Sequence, residues 1–225
     1  MSNAHPIQIA IDGPAGAGKS TIARAVAARL GIAYLDTGAM YRAVGLKALR
    51  LGLSTDDEAA VSAMALSTAV EVRAGDGAQR ILLDGTDVTA DIRTAEVSMA
   101  ASDVSRFAAV RAHLVRLQQQ YAGQSSAVMD GRDIGTHVLP NAQFKFFITA
   151  SVEVRARRRK LEMQARGVER PLQEYIDDIA GRDHQDSTRA ASPLTVAPDA
   201  EVLDTSDMTV QQAVDYVVAK VTGAL

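Results

Sequence analysis

The sequence predicts an α/β fold with a central parallel sheet. Short apolar runs with strand character recur along the chain, and helical patterns separate them, as in parallel α/β sheets. The runs are Ile7–Ile11, Ala33–Leu35, Ala127–Met129, Phe144–Thr149 and Ala200–Leu203. With 225 residues, 47% of them hydrophobic, the chain is large enough for one well-packed domain. We therefore expect a single three-layer domain over residues 5–225 with five parallel strands.

A glycine-rich loop follows the first strand and matches the phosphate-binding pattern G-x-x-x-x-G-K-[ST]. In such a loop the backbone N–H groups bind phosphate oxygens, the lysine binds the β- and γ-phosphates, and the last hydroxyl binds Mg²⁺. The start of the next helix adds its positive dipole end. We expect a nucleoside triphosphate here; a glycine-rich surface turn is the alternative. The residues of the loop are Gly13, Pro14, Ala15, Gly16, Ala17, Gly18, Lys19, Ser20 and Thr21.

Composition argues against several classes of protein. The net charge of −3 and the absence of tryptophan disfavour a general nucleic-acid binder. No apolar run approaches the ~20 residues that span a bilayer. The N-terminus has neither a basic start nor an apolar signal core, so we expect a cytoplasmic protein without membrane attachment. There is no cysteine, and the four histidines lack metal-ligand spacing.

A β-rich insertion interrupts the α/β pattern at about residues 64–95. Val70–Arg73 and Arg80–Leu83 have strand character, and the turn Gly75-Asp76-Gly77 lies between them. These features predict short antiparallel strands. The insertion could equally be a solvent-side hairpin without a functional role.

Arginines are concentrated on a helix predicted from Ser151 to Gly167. Arg155, Arg158 and Arg159 stand at i, i+3 and i+4, so they share a face and would repel one another unless an anion lies between them. We interpret residues 151–170 as a mobile arginine lid over the transferred phosphoryl group. A solvated basic face is the alternative.

Three further groups of residues combine carboxylates with arginines. Asp36 to Arg42 follows the second strand and Asp130 to Asp133 follows the third, where open α/β sheets bind their ligands. A helix starting near Pro171 carries Arg182, Asp186 and Arg189 at i, i+4 and i+7. Each group could hold phosphate or Mg²⁺, or be an ordinary surface ion pair.

These residues resemble the bacterial cytidylate kinases, which are nucleoside monophosphate kinases with the P-loop kinase fold. The similarity covers nearly the whole chain. Its motifs are Ile11-Asp12-Gly13-Pro14, Leu35-Asp36-Thr37-Gly38-Ala39-Met40-Tyr41-Arg42, Asp91-Ile92-Arg93-Thr94, Asp130-Gly131-Arg132-Asp133-Ile134-Gly135-Thr136, and Arg182-Asp183 with Asp186 and Arg189. The resemblance implies ATP-dependent phosphorylation of CMP and dCMP to CDP and dCDP, with Mg²⁺ as cofactor.

The resemblance also implies a role for each matched residue. The acceptor nucleotide would bind in a region at about residues 37–123 and at the later motifs, with Ser102, Arg111 and Asp133 on the cytosine. Lys19, Arg132, Arg155, Arg158 and Arg159 would be catalytic. Mg²⁺ would bind Ser20 directly, and Asp12 and Asp36 through water. The acceptor residues are Thr37, Tyr41, Arg42, Ser102, Arg111, Gly131, Arg132, Asp133, Arg182, Asp186 and Arg189. The lid sequence Arg155-Ala156-Arg157-Arg158-Arg159 departs from the expected family pattern by one extra positive charge.

Other functions would leave different signals. A P-loop kinase for UMP, dTMP or shikimate would not need the carboxylate of Asp133 beside Arg132. A GTPase-type switch would need an N-K-x-D motif, and neither Asn3 nor Asn141 begins one. A nucleic-acid-dependent ATPase conflicts with the acidic charge balance. We expect ATP and CMP or dCMP as the only partners, and a monomer.

Overall fold

The computed structural model describes residues 6–74, 79–165 and 167–224. These residues divide into two compact units. The first unit contains Pro6 and residues 33–127, and the second contains residues 7–32 and 128–224. The acceptor-binding region expected at residues 37–123 falls within the first unit. The expected turn at Gly75-Asp76-Gly77 and the first residue of the expected domain, His5, lie outside the described residues.

Eight strands form two separate sheets in the described part of the chain. The large sheet has five strands in the order β2-β6-β1-β7-β8, and each predicted apolar run matches one of them to within one residue at either end, which confirms the predicted fold class. Strands β1 and β7 pair in parallel with Ile9 opposite Phe144, and β7 and β8 pair in parallel with Phe146 opposite Glu201. The strands are β1 (Gln8–Asp12), β2 (Ala33–Asp36), β3 (Val70–Ala74), β4 (Gln79–Leu83), β5 (Thr86–Asp87), β6 (Ala127–Asp130), β7 (Phe144–Thr149) and β8 (Glu201–Asp204).

Eight α-helices connect the strands in the same described residues. Several begin at a side chain that accepts a hydrogen bond from the first turn, as helix N-caps commonly do: Asp36, Asp57, Thr94, Ser151 and Thr209. The helices are α1 (Lys19–Leu30), α2 (Thr37–Arg50), α3 (Glu58–Leu66), α4 (Ala95–Val104), α5 (Ala108–Ala122), α6 (Val152–Gln164), α7 (Leu172–Thr188) and α8 (Val210–Thr222). None is long and apolar enough to cross a membrane.

The small sheet lies within the first unit and confirms the predicted β-rich insertion. Its strands run antiparallel in the order β3-β4-β5, with Val70 opposite Leu83. The sheet is shorter than the predicted insertion, because α3 continues to Leu66 and a 3₁₀ turn at Asp91–Arg93 precedes α4. Ile81, Leu82 and Leu83 are buried, and α2 packs against β3 and β4. The sheet is therefore part of the hydrophobic core of its unit.

The second unit has its core around β1, whose residues Ile9, Ala10 and Ile11 are fully buried. Helix α1 packs against α8, and α6 packs against α7. Ala156, Tyr175 and Ile179 form the buried centre of the α6–α7 contact. A π-helical turn at Ile134–Val138 follows the Asp130–Asp133 segment. Such turns occur frequently at functional sites.

Candidate active site

The phosphate loop has the backbone conformation that its glycines allow. Gly13 and Gly18 have φ values of 143° and 86°, in the region that side-chain-bearing residues rarely adopt. A Cβ atom on Gly13 would overlap the carbonyl oxygen of Ile148 in β7, so the loop passes directly against that strand. Gly18 occupies the N-cap of α1, where no side chain from the described residues caps the helix. The first N–H groups of α1 are thus available to an anion.

Lys19 is held inside this loop. Its side chain is 5% exposed, and Nζ donates a hydrogen bond to the carbonyl oxygen of Pro14 at 2.7 Å. Burial lowers the pKa of the Lys19 ammonium well below its ordinary value, and the charges of Arg132 and Arg182 lower it further. The charges of Asp130 and Asp12 raise this pKa but do not cancel the effect of burial. The site therefore favours a bound anion such as phosphate, which would stabilise the protonated lysine.

Ser20, the expected Mg²⁺ ligand, is hydrogen-bonded to a carboxylate of the strand-end group for which the sequence left Mg²⁺ binding and a surface ion pair both open. Its Oγ donates to Oδ2 of Asp130 at 2.7 Å. Asp130 is the last residue of β6, and its position at a strand end was the available signal. Among the described residues, no group of three or more histidine, aspartate or glutamate side chains is arranged to hold a metal ion.

Asp12, expected to hold a metal-bound water, has both oxygens engaged with backbone. Oδ1 accepts from the N–H of Ile134 at 2.8 Å, and Oδ2 accepts from that of Gly135 at 2.7 Å. Burial raises the pKa of Asp12 to about 6; these two hydrogen bonds oppose the shift and the charge of Asp133 adds to it. In the structure, Asp12 thus joins the end of β1 to the turn after Asp133.

An arginine–carboxylate cluster lies on α7 and the segment after β6. Arg132 Nε donates to Oδ2 of Asp186 at 2.8 Å, and Arg189 NH1 lies 3.8 Å from Oδ1 of the same carboxylate. Burial of Asp186 opposes its ionisation, but the charges of Arg132, Arg182 and Arg189 hold its pKa below the usual range. Arg189 was predicted to lie on the same helix as Arg182 and Asp186, but α7 ends at Thr188, so Arg189 lies just beyond the helix.

The three lid arginines have separate partners, so the expectation that an anion must lie between them is wrong. Arg155 is buried, pairs with Asp183 at 2.7 Å and donates to the carbonyl oxygen of Ala15 at 3.1 Å. Arg158 donates to the carbonyl oxygens of Ala17 and Thr205, at 3.4 and 2.6 Å. Arg159 pairs with Glu162 at 2.9 Å. Their mutual repulsion is therefore relieved within the protein.

Five of the predicted acceptor residues belong to the first unit, whereas Gly131, Asp133 and Arg182 belong to the second. Asp36 caps α2 and accepts a hydrogen bond from Arg42 NH2 at 2.6 Å, so in the structure it pairs with an arginine of its own unit. Thr37, the first residue of α2, is 3% exposed. The Arg111 guanidinium lies 5.4 Å from the centroid of the Tyr41 ring, a cation–π contact. Ser102 lies in α4 and is half-buried.

Comparison with known proteins identifies the family. The family model described as cytidylate kinase matches residues 9–223. The chain belongs to the cytidylate kinase family. A cytidylate kinase of Caldicellulosiruptor bescii is 50% identical over 211 residues, which cover 94% of this chain and 93% of that protein. A cytidylate kinase of Desulfitobacterium hafniense is 52% identical over 213 residues, which cover 95% and 91%.

The fold is also similar to that of a solved structure. The crystal structure of an uncharacterized protein from Eubacterium ventriosum has a TM-score of 0.50 and 14% sequence identity, and the alignment covers 96% of this chain and 98% of that one. At this identity the likeness concerns the fold alone. It agrees with the α/β architecture described above.

In this member of the family, the predicted site residues fall in both units. The second unit contains the whole phosphate loop and brings Arg132, Asp186 and Arg189 together. It also contains Asp133, which is 5% exposed. The first unit contains Thr37, Tyr41, Arg42, Ser102 and Arg111, of which Arg42 pairs with Asp36 and Arg111 contacts Tyr41.

Proposed function

We propose that this protein transfers the γ-phosphoryl group of ATP to the phosphate of CMP or dCMP. The observation that carries the proposal is the 50–52% identity with cytidylate kinases over more than nine tenths of both chains. The geometry supports it, because the phosphate loop provides the donor side and the arginines provide acceptor contacts. We further propose that the protein acts as a cytoplasmic monomer on small molecules, without nucleic acid.

The donor side has the groups that a Mg-nucleotide needs. The Ser20 hydroxyl and the Asp130 carboxylate are hard oxygen donors 2.7 Å apart, which suit Mg²⁺. When bound, Mg²⁺ would neutralise charge on the β- and γ-phosphate oxygens. Lys19 and the N-terminus of α1 would hold those oxygens from the protein side. Asp12 and Asp36 are less suitable as ligands of metal-bound water, because both are already hydrogen-bonded within the protein.

The acceptor side requires positioning and charge neutralisation. A phosphate monoester, with a second pKa near ~6, is mostly a dianion at neutral pH, so its oxygen can attack without a general base. Thr37, Arg42 and Arg132 are assigned to the acceptor phosphate. Since Arg132 already lies against Asp186, its guanidinium is held in place before the nucleotide binds.

Base and sugar contacts are assigned to the other acceptor residues. Asp133, with Ser102 and Arg111, is assigned to the cytosine, because a carboxylate accepts a hydrogen bond from its amino group and repels the O4 carbonyl of uracil. Arg182 and Asp186 are assigned to the ribose, with Arg189 beside them. A substrate that leaves a buried polar group of the site without a hydrogen bond binds much more weakly, so these contacts discriminate strongly between similar nucleotides.

Arg158 is the lid arginine that we assign to the transferred phosphoryl group. Its acceptors are neutral, the Thr205 hydroxyl and two carbonyl oxygens, one of which belongs to Ala17 in the phosphate loop. Phosphate oxygens are stronger acceptors than carbonyls, so ATP can replace these partners. Arg155 and Arg159 already pair with carboxylates, so exchanging these partners for a phosphate would stabilise them less than it would stabilise Arg158.

A substrate panel tests the proposed function. With Mg-ATP as donor, kcat/KM should be highest for CMP and dCMP among AMP, GMP, UMP, dTMP, CMP, dCMP and shikimate. Lys19→Ala should abolish transfer while the circular dichroism spectrum stays unchanged, because the loop loses its charge on the phosphates. Preference for another acceptor would refute the assignment of the acceptor site. Activity retained in Lys19→Ala would refute the donor site.

A further inference from the structure

A side chain of the small sheet holds the residue that precedes the acceptor helix α2. Gln79, the first residue of β4, accepts a hydrogen bond from the N–H of Asp36 through Oε1 at 2.7 Å. Its Nε2 donates to the carbonyl oxygen of Asp36 at 3.2 Å. One amide side chain therefore satisfies both backbone polar groups of Asp36, although the residues are 43 positions apart. This pairing fixes the backbone at the end of β2.

Asp36 in turn positions Arg42. Its Oδ1 accepts from the N–H of Ala39 at 3.0 Å as the cap of α2, and its Oδ2 accepts from Arg42 NH2 at 2.6 Å. A Cβ on Gly38 would lie 3.1 Å from Asp36 Oδ1, so the carboxylate is closely packed. Arg42 Nε is buried and has no hydrogen-bond partner within the described residues. Buried donors are normally satisfied, so this N–H is suited to a bound anion.

The small sheet is joined to α2 at a second point. Lys47 of α2 pairs with Oδ2 of Asp84, which follows β4, at 2.6 Å. Oδ1 of Asp84 accepts from the N–H of Ala69, just before β3, at 3.0 Å. Together with the buried residues of β4, these contacts attach the sheet to Lys47 of α2 and to Asp36, the residue that caps α2.

We propose that the small sheet is a positioning element for the acceptor phosphate, and that Gln79 acts through Asp36 to hold Arg42 in its binding orientation. The proposal rests on the proposed function, in which Arg42 contacts the phosphate of CMP. Gln79 touches no substrate and is a positioning residue. The insertion then contributes to affinity for the phosphate of the acceptor and leaves recognition of the base to other residues.

The test compares Gln79→Leu with the wild type. Leucine fills a similar volume and removes both hydrogen bonds to Asp36. We expect KM for CMP to rise about tenfold, which is the effect of losing ~1.4 kcal/mol of binding. KM for ATP should change less than twofold, and so should the inhibition constant of cytidine, which has no phosphate. Arg80→Leu is the matched control, because Arg80 is the next residue of β4 and pairs with exposed Asp87 instead.

A double-mutant cycle tests whether Gln79 acts through Arg42. If it does, Gln79→Leu should raise KM for CMP less than twofold in an Arg42→Ala background. If the two substitutions instead raise KM for CMP by independent factors that multiply, Gln79 does not act through Arg42. Equal weakening of cytidine binding and CMP binding by Gln79→Leu would also overturn the positioning role, because it would indicate a general loss of structure. If Gln79→Leu does not fold, Gln79→Asn, one methylene shorter, should give the same selective loss of CMP affinity.

The outcomes separate this proposal from the proposed function. No CMP kinase activity in the wild type, or an unchanged KM for CMP in Arg42→Ala, would refute the assigned function or the phosphate contact. A raised KM in Arg42→Ala with an unchanged KM in Gln79→Leu would refute the positioning role alone.

Discussion

Replacing Asp12 by asparagine should change how stability depends on pH. The pKa of Asp12 is raised from 3.8 to about 6 in the folded protein, because burial disfavours its charged form. Between these two values the folded state holds more of this proton than the unfolded state. This contribution to stability is therefore complete at low pH and is lost as pH rises through about 6. The stability that this proton contributes falls by about 1.4 kcal/mol between pH 5 and pH 7.5, at ~1.36 kcal/mol per pKa unit.

The asparagine variant lacks this titration but carries a cost of its own. Its amide has one oxygen for the two N–H groups of Ile134 and Gly135, which costs about 1–3 kcal/mol at pH 7.5. The wild type gains stability as the pH falls and the variant does not, so the difference in unfolding free energy between wild type and Asp12→Asn should widen to about 2–4 kcal/mol at pH 5. Urea unfolding at pH 5.0, 6.0 and 7.5 measures it for both proteins.

An exposed carboxylate provides the control. The pKa of Asp215 is lowered below its ordinary value by its hydrogen bond from Arg29, so the difference in unfolding free energy between wild type and Asp215→Asn should stay nearly constant from pH 7.5 to 5 and should narrow only below about pH 4. A gap for Asp12→Asn that stays constant, or that narrows toward pH 5, would show that burial does not dominate at this carboxylate.

Three further substitutions test separate parts of the site. Asp133→Asn should reduce the CMP-to-UMP ratio of kcat/KM by about tenfold or more, since a base contact is worth ~1–3 kcal/mol; an unchanged ratio would remove Asp133 from base recognition. Gly13→Ala should cost more than ~2 kcal/mol in urea unfolding, because the methyl group overlaps the Ile148 carbonyl at a φ of 143°. Gly52→Ala, where no atom lies within 4 Å of the added carbon, should cost clearly less, and equal losses would contradict the overlap. Asp186→Asn should destabilise the protein by ~3–5 kcal/mol, because Arg132 and Arg189 lose their shared carboxylate. A loss below ~1 kcal/mol, close to that of an exposed ion pair, would contradict this role.

The parts of the fold that depend on local sequence were predictable. Each strand of the large sheet shows as an apolar run, and the phosphate loop is a contiguous motif. The grouping of Arg182 and Asp186 follows from their spacing of four residues on one helix.

The partners of individual side chains were not predictable, because tertiary packing sets them. Ser20 and Asp130 are 110 positions apart, and Gln79 and Asp36 are 43 apart. Arg155 shows how a local rule fails: its spacing predicted a shared anion with Arg158 and Arg159, whereas it pairs with Asp183 on the next helix. Local periodicity identifies a face of a helix but not what packs against it.

The pairing of Arg155 with Asp183 has a mechanical consequence. The ion pair is largely buried and lies beside the hydrophobic contact of Ala156 with Tyr175 and Ile179, so α6 and α7 are joined by both charge and packing. Two helices joined in this way are expected to move together. A movement of α6, which carries Arg158, would therefore be transmitted to α7, which carries Arg182 and Asp186, the residues proposed to bind the acceptor sugar.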